Sequence, residues 1–442
     1  MRAEELALPI MRALVKRPRV ADVVFRLDKW GNIVGPDRFT NPYPIYERMR
    51  EWGPVSYSPF FQQWAVVGYD EAREVLNSPA FGVAPQMDLL LSVRPYSNLS
   101  DHTKAVLSKA VLFTDPPVHT RLRSLVNRAF TPKQMARLEP NVATLARANL
   151  VELLEGSSGT TAGAAPDLMA GFAAPLPINV IADLLGVPED KWAWMARASE
   201  QIRELLDPFV VVDVAKIDAS VDELSTYFSD LADERLADPQ DDLITGLVQA
   251  ETDGERLDRI ELISMIAILM IAGHETTTGA LGNAIVALAD HPEERQMLVD
   301  QPDLWPNAVE ELLRFDTTLQ TDPRAALENA DVAGVKIKRG QNLTVMLGAV
   351  NRDPRRWTDP NELRVDRENP APLSFGHGIH HCIGAALARM ELRIGLQTFL
   401  ELFGDYTIDT KQVTWLTSLA FRRPTYLPVR PGGPGGPGGP ST

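Results

Sequence analysis

Phe375-Gly376-His377-Gly378-Ile379-His380-His381-Cys382-Ile383-Gly384 decides how this 442-residue chain is read, because it holds the chain's one cysteine. The stretch runs directly into an amphipathic segment, residues 385–403, that predicts a helix. The Cys382 sulfur therefore sits just before a helix N-terminus, where partial positive charge favours a thiolate. The glycines permit turns that a Cβ would obstruct and let the backbone approach a flat ligand closely. Read without chemistry, this would be a buried cysteine in a glycine-rich turn. A zinc site from His377, His380, His381 and Cys382 is a further reading. The glycines disfavour a helix presenting those histidines, and no second Cys/His pair lies nearby in sequence.

Outward from this loop, the composition is that of a globular protein with a large core: 45% of residues are apolar and 23% charged. The net charge is −15, so nucleic acid is an unexpected partner. One cysteine permits no intrachain disulfide. The first eighteen residues carry Arg2, Glu4, Glu5, Arg12, Lys16 and Arg17, which does not fit a signal peptide. The most apolar stretch, residues 262–273, would extend about 18 Å as a helix, short of a bilayer core of about 30 Å. No transmembrane anchor and a cytoplasmic location are expected.

Helical patterns dominate after residue 115. Strand signals lie at residues 55–67, 332–337 and 342–347. The fold class expected is mainly α with small β-sheets. Residues 84–113 read as a long, apolar, irregular loop of the kind that forms a lid, and 206–212 as a similar stretch. Residues 156–165 are small and polar, a surface loop, and the tail Pro431-Gly432-Gly433 onward is low-complexity.

Three further clusters carry chemistry. Ala272-Gly273-His274-Glu275-Thr276-Thr277 places an acid inside the apolar helix, where burying a charge needs a reason. Thr276 can divert hydrogen bonding from the helix backbone. Glu311 and Arg314, three apart, share a helix face. His119 and Arg123, four apart, share another, with Asp115-Pro116-Pro117 before them and Ala129-Phe130-Thr131-Pro132 after.

Together these motifs resemble the cytochrome P450 family over about residues 35–430. The cysteine loop matches the family pattern F-G-x-G-x-H-x-C-x-G at every fixed position, and the other motifs follow in family order. The resemblance implies a single haem domain at 35–430, with an N-terminal extension at 1–34 and a disordered tail at 431–442. It implies haem b (iron protoporphyrin IX) held by Cys382, whose thiolate donates electron density to the iron. Phe375, Ala272 and Gly273 would border the haem. His119, Arg123, Arg324 and His380 would hold its propionates, for which arginine is the best donor. Thr276 and Glu275 would activate O2 and deliver protons, and the Glu311–Arg314 pair would brace the cysteine loop. Ile268, Ile271, Ala272 and Leu319 are the expected substrate-pocket residues.

The implied reaction inserts one oxygen atom from O2 into a small hydrophobic substrate. Electrons would come from NAD(P)H through a ferredoxin-type carrier and its reductase, docking near Arg128, Lys133, Arg389 and Arg393 of a monomer. A haem sensor would not need the Glu275–Thr276 pair, and a peroxide-driven enzyme often lacks it. Departures from the family pattern are Trp357, Leu363-Arg364, Pro372, Thr318 and Arg423. Pro372 stands where a propionate-binding histidine is frequent. Thr318 and Arg423 flank the family's usual substrate pocket.

Overall fold

The computed structural model describes Trp30 and residues 36–130, 132–158, 165–206, 212–252 and 254–432. The remainder of the expected extension at 1–34, residues 159–164 of the expected loop at 156–165, residues 207–211 and the tail from 433 lie outside the described residues, and 156–158 close the helix Pro132–Ser158 instead of opening that loop. Helices dominate, as expected, with small sheets at one side.

The elements that position the site are, in chain order, β1 (Val55–Ser58), β2 (Gln63–Val66), α1 (Tyr69–Asn77), β3 (Phe81–Gly82), α2 (Val118–Ala129), α3 (Pro132–Ser158), α4 (Pro175–Leu184), α5 (Trp192–Arg203), α6 (Val214–Ala237), α7 (Arg259–Asp290), α8 (Trp305–Phe315), β4 (Asp322–Ala326), β5 (Asn342–Val345), α9 (Ala385–Phe403), β6 (Thr414–Trp415) and β7 (Pro424–Tyr426). One five-stranded sheet runs β1-β2-β5-β4-β3. Its β2–β5 pair is parallel, with Trp64 opposite Leu343, and the other pairs are antiparallel.

α7 is the spine. Asp258 and Glu261 form a capping box that satisfies its first amides. Its apolar run is buried on every side, as befits a core helix enclosed by α4, α5, α6, α8 and α9. Among the described residues it is the one helix long and apolar enough to cross a bilayer, and 67% of its most apolar window is buried inside the protein.

Two local expectations are corrected. Residues 84–113 are not an irregular loop: helices Ala84–Ser92 and Asp101–Ser108 are joined through a short 3-10 turn, Tyr96–Asn98, and a second one, Val111–Phe113, follows them. Pro85 starts the first helix, and the Ser100 side chain caps the second by accepting from the Thr103 amide. Two-turn helices are too short to print a 3.6-residue period on so apolar a segment. Residues 332–337 are likewise not one strand. Ala330–Val332 and Val335–Ile337 pair as a hairpin around Ala333 and Gly334, both at positive φ.

α9 buries Glu391, which is 1% exposed and whose Oε2 has no hydrogen-bond partner. Burial pushes its carboxyl well above the ordinary range, so the folded chain holds a proton there that the unfolded chain releases. Stability from this site is present at acidic pH and declines as pH rises from the ordinary carboxylate range toward the raised value. Glu391→Gln should therefore melt higher than the native chain, with a gap that widens from mildly acidic to mildly alkaline pH and reaches about 1–3 kcal/mol. A gap that narrows with rising pH in calorimetric melts would refute a buried neutral acid.

Candidate functional site

The cysteine loop is folded by its glycines and pinned from three directions. Gly378 lies at φ +71°, and a Cβ there would run into the Leu76 carbonyl at the end of α1, so only glycine allows this approach. The Cys382 amide donates to the Phe375 carbonyl over 2.9 Å, closing the loop, and α9 begins three residues later. From α2, Arg123 Nη2 donates to the His381 carbonyl at 2.7 Å. From α9, the Arg389 guanidinium lies 4.4 Å from the Phe375 ring centroid.

Behind the loop, Glu311 and Arg314 of α8 are fully buried and joined by bonds of 2.6 and 2.8 Å. Arg314 also donates to the carbonyls of Asn351, Pro360 and Glu362. Asn351 passes the restraint on: its Oδ1 accepts from the Leu373 amide and its Nδ2 donates to Ser374 Oγ, both at 2.8 Å. The pair thus braces the segment entering the cysteine loop. Sequence reading missed its third member. Arg367 Nε donates to Glu311 Oε1 at 2.9 Å, and the rest of its guanidinium reaches the carbonyls of Thr358, Asp359 and Glu362. Arg314 already meets both Glu311 oxygens, and the Arg364 amide adds a bond to Oε1 at 3.0 Å, so the Glu311–Arg314 spacing carries no signal of Arg367.

Cys382 is surrounded by protein on most sides yet presents open surface. Burial pushes its thiol up, and the Gly384 amide, Arg123 and Arg389 pull it back. On α7, Ala272 is exposed between buried turns, while the Thr276 hydroxyl donates to the Ala272 carbonyl at 2.6 Å. Gly273 is turned elsewhere: a Cβ there would meet Ile181 of α4 at 2.7 Å, so its smallness serves helix packing rather than an opening toward the haem. Ile268 and Ile271 are buried in the main core, whereas Leu319 is only partly buried and bridges to Phe421.

The four residues grouped for carboxylate binding come together. The His119 and His380 rings are 4.2 Å apart. Neither His119 nitrogen has a hydrogen-bond partner, nor does His380 Nε2. Burial, with the charges of His119, Arg324 and Arg123, pushes His380 down to about 3, and burial also lowers His119. Arg324 is 2% exposed and already ion-paired with Asp322, its neighbour but one on β4, which the sequence reading had not included. Among the described residues no group of three or more His, Cys, Asp or Glu converges on a metal ion, so the zinc reading falls. A thiol packed among its neighbours yet open on one side, orphaned imidazole nitrogens and two arginines beside them fit what a haem would need: one soft ligand for iron, and donors for two carboxylates.

A family model described as "Cytochrome P450" matches residues 167–415. The chain belongs to the cytochrome P450 family. It is similar to the cytochrome P450 monooxygenase PikC of Streptomyces venezuelae, 36% identical with 90% of this chain and 92% of that one covered. It is also similar to the 6-deoxyerythronolide B hydroxylase of Saccharopolyspora erythraea, 33% identical over 88% of this chain and 96% of the relative. Among solved structures, P450BioI in complex with a hexadec-9Z-enoic acid-ligated acyl carrier protein aligns at a TM-score of 0.81, with 30% identity over 90% of this chain and 99% of that one. This P450 is accordingly a haem-thiolate monooxygenase. It uses haem b and O2, takes NAD(P)H-derived electrons from a separate redox partner, and acts on organic substrates.

Glu275, expected to face proton traffic from solvent, is buried between two arginines, Arg423 and Arg203. Arg423 thus meets the acid of α7 rather than standing only as a pocket flank. The basic residues expected to receive the carrier are also engaged. Arg389 pairs with Glu310, Arg393 with Glu139 at 2.6 Å, and Arg128 is exposed but donates to the Glu251 carbonyl. The Lys133 side chain lies outside the described residues.

Proposed function

We propose that Cys382 would hold the haem iron through its sulfur, that His119, Arg123, Arg324 and His380 would hold the propionates, and that Glu275 and Thr276 would deliver the protons the reaction consumes. The observation that carries this reading is the placement of the chain's one cysteine, surrounded by protein but with open surface, beside Arg123, Arg389 and the Gly384 amide. Bound haem supplies the binding and reductive cleavage of O2. The protein's own part is to keep Cys382 anionic with amides and guanidinium charge, to neutralise the propionates, and to control the proton.

Thr276 suits the last task. Its hydroxyl is both donor and acceptor, and its hydrogen bond to Ala272 keeps it over the exposed turn of α7. Thr276→Ala should load haem normally but turn over with product per NAD(P)H lowered by roughly tenfold and the lost electrons recovered as hydrogen peroxide. Unchanged product yield, measured beside peroxide release, would count against the role given to Thr276.

We take the substrate to be a small hydrophobic molecule. Relatives named for 6-deoxyerythronolide B, or crystallised with a fatty acyl chain, support that class and go no further. The carrier is a ferredoxin-type protein that meets the cysteine side of a cytoplasmic, monomeric enzyme. Of the docking arginines 128, 389 and 393, Arg128 is the one that pairs with a main-chain carbonyl, that of Glu251, and with no carboxylate. Arg128→Glu should slow reduction several-fold at low salt, with the difference fading as ionic strength rises. Equal reduction rates at low salt would remove Arg128 from the docking surface.

A further inference from the structure

We infer that Arg423 is a positioning residue for proton delivery: it fixes where the Glu275 carboxylate sits and so sets the coupling of electrons to product. The inference rests on the proposed role of Glu275.

Arg423 enters from the strand edge just before β7, a position the family pattern does not predict. Its Nε donates to Glu275 Oε1 at 2.7 Å and its Nη2 to Oε2 at 3.4 Å. Its Nη1 donates to the Pro424 carbonyl at 3.1 Å, so the guanidinium is held at both ends. The arginine stem crosses α7 over Gly279, one turn beyond Glu275, where a Cβ would run into the Thr318 side chain and lie 3.1 Å from Arg423 Cβ. That glycine leaves room for the crossing. On the opposite side, Arg203 of α5 approaches Glu275 only to 3.6 Å, and its Nε and Nη1 have no hydrogen-bond partner. His274, which neighbours Glu275 in sequence and contacts Ser199 at 3.3 Å, is kept neutral by burial. Glu200 of α5 acts on His274. Of the charged groups facing Glu275 among the described residues, Arg423 alone hydrogen-bonds it.

A carboxylate 5% exposed must be paired, and its orientation follows its strongest partner. Without Arg423 the carboxylate turns toward Arg203 and α5. Proton transfer depends on reach within one hydrogen bond or one water, so this turn alters delivery while leaving Glu275 in place. Thr276 is the adjoining residue, so a change at Glu275 is read there first.

The test compares Arg423→Lys, Arg423→Ala, Glu275→Gln and Arg423→Ala with Glu275→Gln in the haem-loaded protein. Product yield, peroxide release, the solvent isotope effect and the melting midpoint are measured. Glu275→Gln should cut yield roughly tenfold. Arg423→Ala should cut it several-fold and raise the isotope effect, Arg423→Lys should restore most of it, and the double variant should be no worse than Glu275→Gln, in melting as in yield. If Glu275→Gln leaves yield intact, the role of Glu275 fails and the inference with it. A loss in Glu275→Gln with none in Arg423→Ala overturns the inference alone. Additive losses in yield and melting, with no rescue by lysine, reduce Arg423 to a structural tie and also overturn it. Should Arg423→Ala not accumulate, Arg423→Gln takes its place against the same outcomes.

Discussion

Cys382→Ser should leave a folded protein whose reduced, carbon monoxide-bound form lacks the strongly red-shifted Soret band, and whose monooxygenation falls to background. The fold should survive because the loop is closed by the Cys382 amide and not by its sulfur. The glycine approach to α1 and the Arg123 bond to the His381 carbonyl are likewise untouched. The chemistry should not survive. A serine hydroxyl at this place stays protonated, whereas a thiolate donates the electron density on which oxygen cleavage depends. No other cysteine exists in the chain to take over. A variant that kept the shifted band would remove Cys382 as ligand, and with it the proposed site.

Arg314→Ala should be the most destabilising single change considered, by about 3–5 kcal/mol. It strands Glu311, fully buried, with Arg367 and the Arg364 amide as its remaining donors, both on Oε1, and leaves the carbonyls of Asn351 and Pro360 without their donor. It also frees the Asn351 link to Leu373 and Ser374, so loss of haem retention should accompany loss of stability. Glu311→Gln attacks the same point by leaving two buried cations, Arg314 and Arg367, facing each other across a neutral amide. Denaturant unfolding followed at the haem band reads both effects. A cost below about 1 kcal/mol would place the pair with ordinary surface ion pairs and would sink the brace.

The parts of the site that read well from sequence are those whose chemistry is local. The cysteine loop runs into α9 at the residue predicted, because glycine turns and an amphipathic helix leave their marks within twenty residues. His119 with His380, and Glu311 with Arg314, were grouped correctly in space. Partners supplied from far along the chain were not legible. Arg367 joins Glu311, and Arg423 joins Glu275, through tertiary packing that no spacing announces. Gly273 was misjudged for a related reason: a small residue on a buried helix can serve a cleft on one side or a neighbouring helix on the other, and Ile181 decides it. The short helices of 84–113 were hidden by their own apolarity.

The brace behind the cysteine loop has a consequence for how this protein can drift in evolution. Apart from Glu311, the recorded hydrogen-bond acceptors of Arg314 and Arg367 are main-chain carbonyls, at Asn351, Thr358, Asp359, Pro360 and Glu362. A main-chain carbonyl is the same group whatever side chain it carries. Positions 358, 360 and 362 are therefore free to change identity, provided the chain keeps its path, while position 359, at φ +48°, is held to residues that tolerate the left-handed region. Lineages descending from this sequence would be expected to scramble the letters of that segment while the two arginines and one glutamate stay fixed, so that its shape is inherited where its spelling is not.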